Sequence, residues 1–506
     1  MTFAAAREPL DLPDEEATYR LASDLAAILQ PGDVVTLSGD LGAGKTTFAR
    51  AVIRTLAGDA ALDVPSPTFT LLQTYALACH TVAHVDLYRI GDPEELWELG
   101  LEEAMAGAVT LIEWPEIAAA LLPVDRLDVA FGLPLSGGAT TRQVRLTAFG
   151  AFAPRLERLL TIRQFLAQSG FGVARRHPLA GDASTRRYER VWLDDRSVVL
   201  MDAPRRPDGP PLRHGLAYSA IAHLAEDVKP FVAMARGLRD RGFSAPDIVA
   251  ADLSEGLLIV EDLGNEGMVT PAGEPIEERY AAAVDVLLAL HQQALPAGLR
   301  VAPRVEHWLP AYDLDAFLVE LELLLQWYLP HCGASLGSGA NSQFHTLWGE
   351  ALRAVTEAPQ TWVLRDFHSP NLMWLAERSG IARVGLLDFQ DAVMGAAAYD
   401  LVSLLQDARV DIAESMEMAL LSRYVVGRMT ATPDFRAAPF LALYAMLGAQ
   451  RATKILGIFA RLDRRDGKPQ YLRHLPRLRG YLSRSLAHPT LEPLRAWYAR
   501  NVPAAA

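Results

Sequence analysis

The sequence predicts two domains in one chain: an α/β domain with a mainly parallel sheet, then a larger domain that mixes strand-like and helical patterns. Three observations carry this. A buried-strand pattern over 34–38 runs through a glycine-rich loop into the helical FARAVIRTL, the way a parallel α/β sheet begins. A turn-rich stretch over 133–141 (LPLSGGATT) interrupts the chain and places a boundary near 153. Far downstream, residues 362–391 (WVLRDFHSPNLMWLAERSGIARVGLLDFQD) set carboxylates at the ends of short apolar runs, after a long helical stretch. The domain boundaries are expected to divide the chain into 1–152, 153–265 and 266–506, the last carrying the apolar runs.

Composition bounds the class. A chain of 506 residues, half of them hydrophobic, can bury the cores of two or three domains. A net charge of −13 argues against broad nucleic-acid or anionic-membrane binding. Cys79 and Cys332 offer no disulfide framework, and residues 1–10 lack the apolar core of a signal peptide, so a soluble cytoplasmic protein without membrane association is expected.

In the first domain, a helical period over 14–29 puts Leu21, Leu25 and Leu29 on one face, and Pro31-Gly32 ends it. After the strand come Gly39, Gly42, Gly44, Lys45, Thr46 and Thr47 in GDLGAGKTT, matching G-x4-G-K-[ST] between a strand and a helix. The glycines let backbone N–H groups converge on phosphate oxygens, and the helix N-terminus favours the anion. Lys45 would reach the outer phosphates of ATP and Thr46 would ligate Mg2+. Polar clusters then sit beside strand-like runs at 64–75 (VPSPTFTLLQTY), 84–89 (HVDLYR) and 110–116 (TLIEWPE). Alone, Asp86 or Glu113 reads as a cap or a surface carboxylate. With the glycine loop upstream they read as catalytic: one holds the metal's water shell and one orients the attacking water. Cys79, His80, His84 and Asp86 are read as unrelated polar residues rather than a metal site. RQVRLTAFG (142–150) alternates like a closing edge strand, and a helix at 155–168 is expected to open the next domain.

GDLGAGKTT, SPTF, HVDLYR and IEWPE, in this order across nearly the whole first domain, resemble TsaE, the small bacterial ATPase of the tRNA threonylcarbamoyladenosine pathway. The resemblance implies an α/β P-loop NTPase fold and weak ATP hydrolysis gated by TsaD/TsaB-type partners, with tRNA involved only indirectly. It also implies that SPTF, with Thr68, is a switch segment near the phosphates, and that Asp86, Glu113 and Trp114 belong to the nucleotide and partner face.

Phosphoryl transfer from ATP needs a carboxylate to take the acceptor hydroxyl's proton, and an amide oxygen plus a second carboxylate to hold magnesium. Asp366, Asn371 and Asp388 supply these groups in order. Asx turns between two strands explain Asn371, but not carboxylates repeated at apolar strand ends. RDFHSPN, LLDFQD and YDLVSLLQD resemble the aminoglycoside-phosphotransferase-like kinases, which share the protein-kinase fold. Within them they look most like the bacterial N-acetylmuramate/N-acetylglucosamine anomeric kinases of cell-wall recycling. The resemblance covers roughly the C-terminal two-thirds of the chain. It implies an α+β bilobal protein-kinase-like domain, with Asp366 as base for the sugar 1-hydroxyl and Asn371 and Asp388 as metal ligands.

By the same resemblance the loop at 181–188 (GDASTRRY) closes over ATP through Ser184 and Thr185, where the residues alone admit a plain hairpin. The run 257–265 (LLIVEDLGN) leads to a hinge where Glu261, Asp262 and Leu263 meet adenine. At one position the chain departs from the pattern. Met201 stands where most relatives keep a phosphate-pairing lysine, and the nearby Arg186 or Arg187 differs from lysine in geometry. The aromatics of HWLP and LELLLQWYLP are read as core, and Asp400 as a tie between its helix and the catalytic loop. Arg451 and Lys454 share a helix face, where contact to an acidic sugar substituent and a solvated basic stripe are both open.

The chain is thus expected to be a fusion of two enzymes using ATP and Mg2+, with TsaD/TsaB-type partners for one and an amino sugar as substrate of the other. Two alternatives stand beside it. The acceptor is another small alcohol, an aminoglycoside or a choline-like molecule, or the second domain is a non-catalytic nucleotide-binding module, which Met201 favours and the intact Asp366, Asn371 and Asp388 disfavour.

Overall fold

A computed structural model describes residues 5–6, 9–78, 80–92, 95–133, 140–179 and 186–503. Its contacts divide the chain into two compact units, Met1–Pro178 with Glu189–Ser197, and Leu179–Tyr188 with Val198–Ala506.

The first unit is built on one sheet of strands β1 (Ala5–Ala6), β2 (Leu10–Leu12), β3 (Val34–Ser38), β4 (Leu72–Ala76), β5 (Thr81–Asp86), β6 (Val109–Glu113), β7 (Arg126–Gly132) and β8 (Arg142–Phe149). The order is β1-β8-β7-β3-β6-β5-β4, with β2 also on β8. At its centre β3 runs parallel to both β6 and β7, and β5 parallel to β6. Strands covered on both faces read as continuous apolar runs, and β5 and β6 are buried over nearly their whole length. Helix α1 (Glu15–Ala26) starts where the Asp14 carboxylate accepts from the Ala17 N–H at 2.7 Å. Helix α2 (Lys45–Ala57) starts at the glycine loop.

In the second unit, the strand Arg196–Asp202 pairs antiparallel with Leu257–Glu261, which pairs in turn with Ile248–Asp252. The helix Lys229–Arg239 joins the same core through Phe231, Val232 and Leu238. Two antiparallel pairs frame the segment that carries Asp366, Asn371 and Asp388: Gln360–Val363 with Val393–Ala396, and Leu372–Trp374 with Val384–Leu386. Two more short antiparallel pairs, Pro211–Arg213 with Leu216–Ala217 and Gly298–Ala302 with Val305–Trp308, accompany a mainly helical remainder whose spine is the helix Ala437–Asp466. At Gly457 that helix comes so close to Leu323 that a Cβ would lie 2.3 Å from the Leu323 carbonyl carbon.

The structure departs from the sequence expectations at three places. The helix Ala153–Gln168 belongs to the first unit: Phe152, Leu156 and Leu159 join its core, and Arg155 pairs with Asp33 at 2.6 Å. Strand β8 is not an edge, because β1 and β2 pair along its outer side. Trp308 is not core but 67% exposed. Among the described residues, no helix is long and apolar enough to cross a membrane.

Candidate active sites

In the first unit, Gly39, Gly42 and Gly44 take φ values of +127°, +78° and +108°. A Cβ on Gly39 would lie 2.3 Å from the Phe131 carbonyl oxygen, so β7 leaves no room for a side chain there. The loop delivers the N-terminus of α2, with Lys45, Thr46 and Thr47 in its first turn. The Lys45 ammonium donates to the carbonyls of Gly39 (2.7 Å) and Asp40 (3.0 Å) and lies 3.8 Å from the centre of the Trp114 ring. Burial pushes the Lys45 pKa down, and the nearby Glu113 and Asp86 carboxylates oppose that.

Parallel register sets Asp86 beside Glu113 at the carboxyl ends of β5 and β6, where open α/β sheets bind ligands. Thr46 donates its hydroxyl to Glu113 at 2.8 Å, and Thr68 donates to Asp86 at 2.7 Å. The sheet therefore gathers the glycine loop, Thr46, Thr68, Asp86 and Glu113. It adds one residue that the sequence reading set aside, the buried His84, whose Nε2 is 2.9 Å from Glu113 Oε1.

In the second unit, the Asn371 amide donates to the Asp366 carbonyl (3.0 Å) and to Asp388 Oδ2 (3.3 Å). Gln390 Nε2 donates to Asp388 Oδ1 at 2.7 Å. Arg365 and Asp388 sit in the left-handed region, at φ +65° and +57°, strain that surrounding bonds must hold. For Arg365 the holder is Asp400, whose carboxylate accepts from the backbone N–H of Leu364 (2.7 Å) and Arg365 (2.9 Å). Burial pushes the Asp400 pKa up to about 7.

Asp400→Asn puts an amide donor against one of those N–H groups. It should cost the second unit about 1–3 kcal/mol, read as a lower midpoint of its unfolding. An unchanged midpoint would count against Asp400 as the anchor.

Beneath the loop lies a buried charge network. Glu320 accepts from Arg365 and, at 2.7 Å, from Lys454, and its other oxygen accepts from Tyr312 at 2.6 Å. Burial pushes Glu320 up, and Lys454 and Arg365 reverse that, holding it below the usual carboxylate range. Arg451 is only 6% exposed and Lys454 is spent on the buried Glu320, so a solvated basic stripe is excluded for both cations. Burial likewise raises the Asp366 pKa, but the opposing fields of His368, Lys454, Arg365 and Arg451 leave it lowered. Burial takes His368 down to about 4, so at neutral pH the permanent cations keep Asp366 ionised.

At the hinge, Glu261 bonds Arg378 and Arg239, Asp262 accepts from the Gly264 N–H at 3.0 Å, and Leu263 is buried. Met201 is buried in the apolar core with Phe231 and Phe389, whose rings stack 5.0 Å apart. Arg186 lies 3.9 Å from Asp388. Ser184 and Thr185 fall outside the described residues. Sequence reasoning missed Glu320 and Gln390. The apolar run FLVELELLL carries two carboxylates, Glu320 and Glu322, and that break in its apolar pattern was the available signal for Glu320.

Residues 12–136 match the family model of the threonylcarbamoyl adenosine biosynthesis protein TsaE, and residues 175–440 match that of the phosphotransferase enzyme family. The chain is 42% identical over 352 residues to the N-acetylmuramate/N-acetylglucosamine kinase of Caulobacter vibrioides, spanning 67% of this chain and 95% of that protein. It is 36% identical to the protein of the same name from Pseudomonas aeruginosa, spanning 61% of this chain and 83% of that one. Its first domain is 50% identical over 118 residues to the tRNA threonylcarbamoyladenosine biosynthesis protein TsaE of Rickettsia bellii, spanning 23% of this chain and 81% of that protein. By its first domain the chain belongs to the TsaE family, and by its second to the phosphotransferase enzyme family.

Proposed function

We propose that the chain is bifunctional. Its first domain hydrolyses ATP in support of tRNA threonylcarbamoyladenosine formation, with TsaD/TsaB-type partners, in the cytoplasm. Its second transfers a phosphoryl group from ATP to the 1-hydroxyl of N-acetylmuramate or N-acetylglucosamine, giving the sugar 1-phosphate. The observation that carries the kinase half is the centre in which one amide joins Asp366 to Asp388, together with relatives named for these sugars.

In this reading Asp366 accepts the proton of the sugar hydroxyl, and the cations around it keep it ready to do so. Asn371 and Asp388 in the second domain, and Thr46 in the first, would hold Mg2+, since carboxylate, amide and hydroxyl oxygens are the hard donors that this ion takes. Bound there, the ion neutralises charge on the phosphate oxygens. Arg186 takes over the phosphate contact for which Met201 offers no charge. Ser184 and Thr185 close over the phosphates, Glu261, Asp262 and Leu263 meet adenine, and Lys454 and Arg451 border the sugar. In the first domain, Asp86 and Glu113 serve the metal and the attacking water. Phe69, 80% exposed with Arg89 stacked over it, and Tyr88 beside Trp114 form the partner surface.

The test is transfer of label from γ-labelled ATP by the whole chain to each sugar, with choline and an aminoglycoside in parallel. Label in the amino sugars is the expected result. Label only in the other alcohols would overturn the acceptor, and label in none would overturn the kinase. ATP hydrolysis should rise on adding TsaD and TsaB, and indifference to them would count against that half.

A further inference from the structure

The helix Ala437–Asp466 carries a third cation on the face of Lys454. Arg461 follows Lys454 by two helical turns, about 10 Å further along the axis. Its Nε is shut away from solvent and has no hydrogen-bond partner among the described residues. Its guanidinium lies 5.7 Å from the centre of the Tyr218 ring. Tyr218 opens the short helix Tyr218–Ile221, which a small apolar cluster of Ile221, Ala222 and Val319 holds in place.

The charges near this arginine are unevenly spent. Glu320 already takes both Lys454 and Arg365. Asp466, the carboxylate whose field reaches Arg461, is held by Arg465 through bonds of 2.7 and 3.0 Å. Arg365, the residue before Asp366, donates to the Ala222 carbonyl at 2.8 Å, and the Ala222 N–H donates to the Tyr218 carbonyl at 2.8 Å. These contacts connect the neighbour of the proposed base, through Tyr218, to a cation whose Nε has no hydrogen-bond partner among the described residues. A buried donor left unbonded is costly, which makes such a cation a site for a ligand anion.

We infer that Arg461, backed by Tyr218, binds a carboxylate on the acceptor sugar and so selects acidic N-acetylated sugars. This rests on the kinase reading above. N-acetylmuramate carries a lactyl carboxylate that N-acetylglucosamine lacks, so the two sugars separate this role from any general one. With its 1-hydroxyl at Asp366, the acidic sugar directs its lactyl arm along the helix to Arg461.

The test is Arg461→Gln in the whole chain, with both sugars as acceptors. KM for N-acetylmuramate should rise roughly ten- to hundredfold, the loss of one charge-assisted contact, while KM for N-acetylglucosamine and for ATP stay unchanged. Arg461→Lys should restore part of the discrimination. Turnover of N-acetylglucosamine by the same preparation shows that the fold is intact. If both KM values rise together, or neither moves, the role assigned to Arg461 is wrong while the kinase stands. If the unaltered chain phosphorylates neither sugar, the kinase assignment falls and this one with it.

Discussion

Asp366→Asn should lower kcat for sugar phosphorylation by about 10²–10⁴-fold and leave the affinity for MgATP nearly unchanged. The substitution keeps size and polarity and removes only the proton acceptor. The loop's own bond, from the Asn371 amide to the Asp366 backbone carbonyl, does not involve the altered side chain. Asp388→Asn is the contrasting case. It removes a ligand charge and disturbs the bonds from Gln390 and Asn371, so nucleotide binding should weaken along with turnover. A general loss of folding cannot produce that split. Single-turnover transfer and equilibrium ATP binding, measured side by side, decide it. Full activity in Asp366→Asn would remove the base.

Lys45→Ala should reduce the number of nucleotides bound per chain from two to one, with affinity at the first site falling by at least about a hundredfold. The lysine is nearly buried against Trp114, and its ammonium is already bonded to the loop carbonyls at the mouth of the helix. No other lysine exists in the first domain to replace it. Sugar phosphorylation should survive, because the second domain has its own Asn371 and Asp388. Calorimetric stoichiometry on the whole chain is the measurement, and two nucleotides bound by the variant would refute the role of Lys45.

What was legible in the sequence was local, or fixed by regular pairing. The glycine loop is continuous with its strand and helix, and parallel register puts Asp86 beside Glu113 without further information. Asp366, Asn371 and Asp388 are close in sequence and joined by one short hairpin. The hidden part was made of distant pairs. Glu320 meets partners 45 and 134 residues away, so no window of the sequence contains the network. Arg155 meets Asp33 across 122 residues, which is why turn-rich composition suggested a boundary at 152 while the compact first unit runs on to Pro178. Trp308 has the composition of a core residue, and only the chain path shows that it faces solvent.

Met201 lies in the same apolar core as Phe231 and Phe389, and this bears on how the second domain can be controlled. In protein kinases an ion pair between a lysine and a helix glutamate must be in place for catalysis, and activation signals work by making or breaking it. Here the helix Lys229–Arg239 contains no acidic residue, and Met201, in the strand Arg196–Asp202, carries no charge. An apolar contact has no charge for a phosphate group, a proton or salt to compete for. An ion-pair switch of that kind is therefore not built from Met201 and this helix.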